Sequence, residues 1–496
     1  MTKEEKQNRK NLIMFPIASI GRDMAYVLFT NFLLTYVLFT RQLDAAQLTA
    51  ITLIMVGARI FDGLNDPIMG NIVECTDSKY GKFKPWLVLG ILSTSAVIIV
   101  TFNTSLQGWS FIALFGVMYF LYSIAYTMHD ISYWGMIASL GSDANARNQF
   151  TSRATLFAGI GSTLASMLIP MFTTGSMALG GSAAKAYGII AVVIGIIAPL
   201  LMAFTVLGVR ENRSVTENSS HNSSVSLKHI VSVIRGNDQL MWIAAAFVIQ
   251  QVGNQLAQGG LASTYVYLDY GYSGGLYSIF NTVGMIATAF MMIFYPMITR
   301  KITRKQLMSI LLGISAFGYG ATLVCGWIIP DAGIRFRLVT AANMMANFGQ
   351  YGFYLIMMIS IINTVEYNQY LHGTRQEGII ASLRPFLTKL ASALVVVMTT
   401  ASYLVFKVTD CTNVISQMEN AASAGTITEL QKLSSIEMAL SSVGAWQTRG
   451  LMTVMTVIPF VLMYISWRIY RSHYTLDEVE YERICSVIAE RQENRS

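Results

Sequence analysis

The stretch ARIFDGLNDPIMG, residues 58–70, is the most informative part of the chain. It places an arginine, two aspartates and a proline inside an apolar run that extends over residues 46–73. A run of this length crosses the roughly 30 Å of bilayer hydrocarbon as a helix. Ionisable side chains at that depth cost a few kcal/mol on insertion scales and normally face a cavity or a partner charge. The stretch therefore predicts a membrane helix that carries a polar site.

The composition of the whole chain indicates an integral membrane protein. The chain has 496 residues, of which 53% are hydrophobic and only 12% are charged, whereas soluble domains carry about 25% charged residues. Apolar runs long enough to span a bilayer recur along its length. The four cysteines show no ligand spacing, so we expect neither a disulfide framework nor a metal cluster. The expected fold class is an all-α polytopic membrane protein.

Run length predicts twelve membrane-spanning helices in two sets of six. The Ser- and Asn-rich segment between the sixth and seventh runs is typical of a linker. We therefore expect a first bundle over residues 1–209, a linker over 210–238, a second bundle over 239–470 and a tail over 471–496. The predicted spans are 12–39, 46–73, 84–104, 109–140, 148–177, 186–209, 239–268, 275–298, 305–329, 333–365, 376–406 and 447–469.

Lysine and arginine are concentrated in alternate loops. They cluster in residues 3–10, 79–84, 210–235, 300–305 and 468–483, and Arg147 and Arg375 fall on the same side, whereas the alternate loops hold few. Cationic loops stay in the cytoplasm, so both termini are expected there, in a protein of the cell membrane. The net charge of +7 is then a signal of topology and not of nucleic-acid binding.

A long loop over residues 407–446 is expected outside the cell. Its middle allows two interpretations that the sequence leaves open. Either it forms an amphipathic helix over the outer mouth, or it is a solvated loop. The tail beyond residue 471 has the pattern of a charged amphipathic helix.

Four ionisable residues in four predicted spans lie at similar depth. Asp23, Asp62, Asp130 and Lys389 each fall about ten to thirteen residues from the inner end of their span, which is about 15–20 Å along a helix. Secondary transporters hold substrate and coupling ion at this level, between two halves. Structural ion pairs that only hold helices together are the alternative, and four charges at one depth favour the site.

The residues around the opening stretch predict a cation site. Arg59, Asp62 and Asp66 are spaced i, i+3, i+7 and share one helical face. Two neighbouring carboxylates in a low dielectric do not both stay charged without a counter-ion. Bound Na⁺ or a proton meets this need, and Asn65 and Thr127 add hard oxygen ligands for Na⁺. Arg59 is expected to pair with the carboxylates.

A second group favours a polyol ligand. Thr127, Asp130 and Trp134 repeat the same spacing on the fourth span, and Asp23 lies at the same depth on the first. Carboxylates accept charge-assisted hydrogen bonds from paired hydroxyls, worth about 1.5–3 kcal/mol each. A tryptophan face covers the apolar face of a sugar ring. The combination suits a sugar better than a lipid or a cationic drug.

Several of these segments resemble one known family. RIFDGLNDPIMGNIVECTDSKYGKFKPW (59–86) resembles the second helix and following loop of the glycoside–pentoside–hexuronide:cation symporters. The resemblance continues in GRDMAY (21–26), YTMHDISYWGMI (126–137) and VEYNQYLHGTRQEGIIASLRPFLTK (365–389). It covers nearly the whole chain to about residue 400. It implies the major facilitator fold, with twelve helices in two pseudo-symmetric six-helix bundles.

The resemblance also implies residue roles. It matches Asp62 and Asp66, with Asn65 and Thr127 beside them, to the cation site, and it matches Asp23 and Asp130 to the sugar site. To the sugar side it adds Trp134, Arg153, Tyr126 and Arg22; it sets Lys389 near the cation carboxylates, and it implies an inner gate at Gly70, Glu74, Lys82 and Lys84.

Together these features predict a secondary active transporter. It would couple entry of a sugar or glycoside to Na⁺, Li⁺ or H⁺ by alternating access. The alternatives are a major facilitator transporter of a non-sugar solute, such as a lipid or drug, and a non-transporting membrane sensor. No nucleophile–base pattern indicates an enzyme, and no cofactor, nucleic acid or obligate protein partner is expected. The expected partners are a small-molecule sugar, a monovalent cation and the lipid bilayer.

Overall fold

The computed structural model describes residues 3–140, 144–211, 227–374 and 376–493, and these residues are almost wholly α-helical. They contain twelve helical segments long and apolar enough to cross a membrane. The predicted all-α polytopic class is therefore confirmed. Position 375 and most of the predicted linker lie outside the described residues.

The first six spans are each a single helix. Asp44 caps the second one through a capping box with Gln47, and that helix then continues through Pro67. Two short 3₁₀ turns, Gly175–Met177 and Leu179–Gly181, precede the sixth helix. The helices are α1 Lys3–Thr40, α2 Ala45–Glu74, α3 Lys84–Asn103, α4 Gly108–Leu140, α5 Ala144–Thr173 and α6 Ala183–Gly208.

The second half of the chain contains eleven described helices. The seventh span consists of two of them, α8 and α9, which are separated at Gly259. The tail forms a helix, α17, as its pattern predicts. The helices are α7 Leu227–Gly236, α8 Asp238–Gln258, α9 Gly260–Tyr270, α10 Gly274–Ile298, α11 Arg304–Ile328, α12 Ala332–His372, α13 Glu377–Val405, α14 Val408–Ser423, α15 Glu429–Ser441, α16 Ala445–His473 and α17 Glu478–Glu493.

One compact unit comprises the described residues of Met1–Ser224 together with Val266–Ile279 and Tyr403–Val443. In it α1 packs against α5 and α6, α3 against α4 and α6, and α2 against α4. Small residues allow close approach, since a methyl group on Gly21 would lie 2.6 Å from the Ala198 Cα. The core includes Phe15, Leu87, Tyr133, Met136, Phe150 and Met202.

The other compact unit comprises the described residues of Val225–Tyr265, Phe280–Ser402 and Gly444–Ser496. In it α12 packs against α8 and α11, α16 packs against α8 and α11, and α17 covers part of α12. The domain boundaries expected from the sequence stay a prediction. The core of this unit includes Phe247, Leu307, Phe353, Ile380, Met463 and Tyr470.

Residues 408–441 form a helical hairpin, α14 and α15, that belongs to the first unit. The Asn413 side chain accepts a hydrogen bond from the Leu43 N–H at 2.8 Å and donates to the Leu43 carbonyl at 2.9 Å. Asn420 donates to the Thr40 carbonyl at 3.0 Å. The interpretation of this segment as a solvated loop is therefore wrong, because α14 is bonded to the end of α1.

A buried ion pair joins the two helices of the hairpin. Glu419 and Lys432 approach to 3.4 Å, and both side chains are fully buried. Glu419 accepts from the Ala183 N–H at 2.6 Å, and Lys432 donates to the Gly181 carbonyl at 2.8 Å. Burial raises the pKa of Glu419, while the Lys432 ammonium acts in the opposite direction. The hairpin thus also binds the start of α6.

Candidate functional site

Two carboxylates of α2 meet two hydroxyls of α4. Thr127 Oγ1 donates to Asp66 Oδ1 at 3.1 Å, and Ser123 Oγ donates to Asp62 Oδ1. Both pairs are spaced by four residues, so each helix presents two successive turns to the other. The sequence predicted the role of Thr127 but missed Ser123. The signal that was available is that Ser123 lies one turn before Thr127 on the same face of α4.

Arg59 and Asn65 flank these carboxylates on α2. Arg59 Nη1 lies 3.7 Å from Asp62 Oδ2, and both side chains are about nine-tenths buried. The structure therefore contains the charge pair that the spacing of Arg59 and Asp62 predicts. Asn65 Nδ2 is buried and has no hydrogen-bond partner among the described residues. We call Arg59, Asp62, Asp66, Ser123 and Thr127 the α2–α4 cluster.

A second charged group joins α1 to α4. Arg22 Nη2 lies 2.7 Å from Asp23 Oδ2, and Arg22 Nη1 lies 3.3 Å from Asp130 Oδ1. The arginine side chain is only 3% exposed, whereas the aspartates are 17% and 33% exposed. Arg22 thus bridges two carboxylates that retain access to solvent. We call these three residues the α1–α4 cluster.

Aromatic rings surround the bridging arginine. The Arg22 guanidinium carbon lies 4.7 Å from the ring centroid of Tyr133 and 5.0 Å from that of Trp134, within the range of cation–π attraction. The ring centroid of Tyr126 lies 5.4 Å from that of Tyr26 on α1. Trp134 and Tyr126 were expected beside the aspartates. Tyr133 was missed, although it directly precedes Trp134.

Two predicted site residues are not brought into these clusters. Arg153 is exposed, and its Nη1 donates to the Leu12 carbonyl at 3.2 Å. Leu12 precedes Asp23 by eleven residues on α1, about 16 Å along the helix, so the expected contact of Arg153 with the sugar aspartates is not present in this structure. Lys389 is half-buried on α13 in the second unit, and its proximity to the cation carboxylates stays a prediction.

The loop between α2 and α3 is tied to the chain just after α6. The Lys82 N–H donates to Glu211 Oε2 at 3.0 Å, and Lys84 Nζ donates to the Val209 carbonyl at 2.8 Å. Burial raises the pKa of Glu211, against the effect of the Lys82 N–H and the Lys84 ammonium. Sequence reasoning missed Glu211, and the gating role of this loop stays a prediction. The other two residues of the predicted gate, Gly70 and Glu74, lie not in the loop but in the last turns of α2, where Gly70 is half-buried and Glu74 is exposed.

A family model described as MFS/sugar transport protein matches residues 14–478. The chain belongs to this family. The resemblance to the glycoside–pentoside–hexuronide:cation symporters is thereby confirmed, and the protein is an integral membrane protein of that family.

Two relatives share a little over a quarter of the aligned residues with this chain. A lactose permease of Leuconostoc lactis is 27% identical over 417 residues, which cover 79% of this chain and 62% of the permease. A raffinose carrier protein of Pediococcus pentosaceus is 28% identical over 453 residues, which cover 87% of this chain and 66% of the carrier. The chain thus spans less than two thirds of the length of both relatives.

Solved structures of transporters share the fold. A bacterial homologue of the human lysosomal transporter Spinster, in an inward-facing and unoccupied conformation, matches with a TM-score of 0.60 at 11% identity. The match covers 95% of this chain and 99% of that one. The predicted major facilitator fold is confirmed.

Proposed function

We propose that the protein is a secondary active transporter that couples entry of a sugar or glycoside into the cell to a monovalent cation. The observation that carries the proposal is the α2–α4 cluster. Its ionisable members are Arg59, Asp62 and Asp66, whose formal charges sum to minus one. One monovalent cation neutralises that charge, and buried charge that is not neutralised is costly.

The α2–α4 cluster offers the cation hard oxygen ligands. Asp62 and Asp66 supply carboxylates, and the hydroxyls of Ser123 and Thr127 already lie against them. Asn65 adds an amide oxygen, and its buried Nδ2 has no hydrogen-bond partner among the described residues. Na⁺ and Li⁺ suit such a set, and a proton meets the same charge requirement.

The α1–α4 cluster is proposed as the sugar side. Asp23 and Asp130 keep partial solvent access and accept hydroxyl hydrogen bonds. Arg22 bridges both carboxylates and holds them in place, while Trp134 and Tyr126 offer ring faces beside them. Arg153 is not included, because its guanidinium binds the Leu12 carbonyl.

Helix α4 links the two proposed sites. Ser123 and Thr127 belong to the cation side, and Asp130 and Trp134 belong to the sugar side of the same helix. Thr127 and Asp130 are three residues apart, less than one turn. A shift of α4 on cation binding therefore moves Asp130 directly. It reaches Asp23 of α1 through the Arg22 bridge. Linkage makes the effect reciprocal, so sugar also raises the affinity for the cation.

The remaining features of the proposal come from the sequence. Both termini lie in the cytoplasm of a cell-membrane protein, supported by the distribution of lysine and arginine. Two six-helix bundles rock around the site by alternating access. Lys389 is proposed to pair with the cation-site carboxylates while the coupling cation is absent.

Uptake into proteoliposomes tests the proposal. We expect an imposed Na⁺ or H⁺ gradient to drive accumulation of at least one member of a panel of lactose, raffinose and p-nitrophenyl galactosides. Asp62→Asn combined with Asp66→Asn should abolish gradient-driven uptake, because the cation then has no charge to neutralise. Asp44→Asn is the matched control, since Asp44 is the exposed N-cap of the same helix and asparagine caps equally well.

Two outcomes would overturn the proposal. One is uptake that does not depend on either gradient. The other is full activity in the double variant. Outward movement of an apolar solute, with no transport of any panel member, would instead indicate an exporter on the same fold.

A further inference from the structure

Three tyrosines surround the arginine of the α2–α4 cluster. Arg59 interacts electrostatically with Tyr119 and Tyr122 of α4 and with Tyr26 of α1. The side chains of Tyr119 and Tyr122 are almost fully buried, whereas Tyr26 is half-buried. The proposed function assigns no role to Tyr26. We call Tyr26, Tyr119 and Tyr122 the tyrosine cage.

The guanidinium of Arg59 is loosely held in this structure. Its Nη1 lies 3.7 Å from Asp62 Oδ2, which is longer than a hydrogen bond. Its Nε is buried and has no hydrogen-bond partner among the described residues. A guanidinium has five N–H donors, and a buried charge needs hydrogen bonds as well as a counter-charge. Arg59 therefore keeps a donor for a further acceptor.

Under the proposed function, the coupling cation competes with Arg59 for Asp62. Ser123 donates to Asp62 Oδ1, and Arg59 approaches the other oxygen, Oδ2. A cation bound at Asp62 and Asp66 takes up their negative charge and repels the guanidinium, because both are positive. The displaced guanidinium then needs another acceptor, since a buried charge without hydrogen bonds is costly.

Tyr26 is the member of the tyrosine cage that is best placed to accept. Its hydroxyl makes no hydrogen bond within the described part of the chain, and a phenol oxygen accepts hydrogen bonds from N–H donors. The rings of Tyr119 and Tyr122 are packed against Phe29, with ring centroids 5.3 Å and 3.6 Å apart. Tyr26 is less enclosed and reaches Arg59 from a different helix, α1.

Tyr26 also lies beside the proposed sugar side. Its ring centroid is 5.4 Å from that of Tyr126. It follows Arg22 and Asp23 by four and three residues, so all three share one face of α1. A change in the position of the Tyr26 side chain is therefore passed to a ring and to two charges of the sugar side.

We propose that Tyr26 is a positioning residue that couples the α2–α4 cluster to the α1–α4 cluster. When a cation occupies the α2–α4 cluster, the Arg59 guanidinium leaves Asp62 and donates to the Tyr26 hydroxyl. This bond fixes the Tyr26 ring against Tyr126, beside the aspartates that bind the sugar. The inference rests on the proposed function, and it adds a route through α1 to the one through α4.

Tyr26→Phe tests the coupling, because it removes the hydroxyl and keeps the ring. Calorimetry gives the Kd of lactose, raffinose and p-nitrophenyl galactosides without a coupling cation and at saturating Na⁺, Li⁺ or H⁺. The ratio of the two Kd values is the coupling factor, which is typically about 5–150 between linked sites. In Tyr26→Phe this factor should fall at least about fivefold, or to one where the wild-type factor is smaller. The sugar Kd without cation should stay within about twofold of wild type.

Tyr36→Phe is the matched control on the same helix. Tyr36 is a buried tyrosine whose hydroxyl accepts from Arg41 Nη2 at 2.7 Å. The same substitution therefore removes a bond between tyrosine and arginine that lies outside both clusters. It should lower the Tm and leave the coupling factor unchanged.

A double variant tests whether Tyr26 acts through Arg59. In an Arg59→Gln background the guanidinium is absent, so adding Tyr26→Phe should change the coupling factor by less than about twofold. The Tm is measured for every variant. If Tyr26→Phe does not fold, Tyr26→Met also removes the hydroxyl, and it should show the same loss of coupling.

The outcomes distinguish the inference from the proposed function. A coupling factor within about twofold of wild type in Tyr26→Phe, with cation-driven uptake intact, overturns the inference and leaves the function standing. An equal loss of coupling in Tyr36→Phe, or an equal effect of Tyr26→Phe with and without Arg59, overturns it as well. If no cation changes the sugar Kd or drives uptake of any panel member in the wild-type protein, the proposed function fails, and the inference fails with it.

Discussion

The two compact units place polar side chains inside membrane-spanning helices with different chemistry. The first unit pairs buried arginines with carboxylates in the α2–α4 and α1–α4 clusters. The second unit hydrogen-bonds neutral amides of α8 to amides of α12, Gln250 to Gln350 and Gln258 to Asn347. Carboxylates change their interactions when a cation or proton arrives, whereas amides do not. Under the proposed function, ion dependence therefore belongs to the first unit, and the amides of the second unit keep the same hydrogen bonds whether or not the cation is bound.

Removing Arg22, which bridges the two aspartates of the α1–α4 cluster, is the strongest test of this comparison. We expect Arg22→Gln to reduce sugar uptake at least about 100-fold, because it leaves Asp23 and Asp130 without their shared partner. The hydrogen bonds of the guanidinium to Asp23 are charge-assisted and contribute about 1.5–3 kcal/mol each. Initial uptake rates in proteoliposomes measure the loss, and Arg22→Lys should retain part of the activity.

Arg41→Gln is the matched control for Arg22→Gln. Arg41 is also a buried arginine of the first unit, but it binds the Tyr36 hydroxyl and the Thr104 carbonyl at 2.7 Å each. It should lower the Tm and leave the sugar Kd unchanged. Wild-type sugar affinity in Arg22→Gln would show that the Arg22 bridge serves only packing. The charges of the α1–α4 cluster would then have no role in sugar binding.

A smaller effect is expected from Ser123→Ala. This variant removes one hydroxyl from Asp62, and a hydrogen bond to a charged group contributes about 1.5–3 kcal/mol. The affinity for the coupling cation should fall about tenfold or more, while the sugar Kd at saturating cation stays within twofold. Tryptophan fluorescence titrated with Na⁺, Li⁺ and H⁺ measures the change.

Ser132→Ala serves as the control on the same helix, because the Ser132 hydroxyl donates to the Met128 carbonyl at 2.7 Å. It should leave all three cation titrations unchanged. An equal effect of Ser123→Ala and Ser132→Ala would contradict a specific role for Ser123 and attribute the loss to α4 as a whole.

The smallest effect is expected from an ion pair of the second unit, Arg304 with Glu478. Glu478 accepts from the Arg304 N–H at 2.8 Å and from Arg304 Nε at 2.9 Å. Burial acts to raise the pKa of Glu478, but these hydrogen bonds outweigh it and hold that pKa below its usual 4.5. The folded state therefore binds the proton less tightly than the unfolded state, and the pair stabilises the protein at neutral pH.

We expect Glu478→Gln to lower the Tm by about 1–3 °C at pH 7 without changing transport, since partly exposed pairs contribute about 0.2–1 kcal/mol. The difference from wild type should disappear as the pH falls below 4.5 and through the lowered pKa of Glu478. Asp477→Asn, which alters the looser pair with Lys305 at 3.5 Å, should have a smaller effect. A transport defect in Glu478→Gln would show that ion pairs of the second unit also take part in transport, which contradicts the comparison.

Charge and helical spacing made half of the candidate site predictable. An ionisable residue inside a membrane helix is conspicuous, and the spacing of Arg59, Asp62 and Asp66 sets their common face before any neighbour is known. The pair of Thr127 with Asp66 followed from that face. The same signals gave the all-α class and the twelve spans, because bilayer thickness fixes the length of each apolar run.

The residues that were missed carry no such signal. Serine and glutamine are common between membrane helices, so Ser123 and the amide pairs between α8 and α12 become informative only when the register between two helices is known. Spacing on one helix does not set that register. Arg153 was expected at the sugar side from resemblance alone. Its exposed position in the first third of α5 sets its contact with the Leu12 carbonyl instead.

The docking of the α14–α15 hairpin has a consequence for biogenesis. The backbone groups at Thr40, Leu43, Gly181 and Ala183 find their partners in side chains that lie more than two hundred residues later in the chain. A nascent chain that has emerged only through α6 therefore exposes these groups to water. Although domains generally fold in the order of synthesis, the first unit is complete only after Lys432 has left the ribosome. A fragment ending at the linker would lack these contacts unless residues 403–443 were supplied in trans.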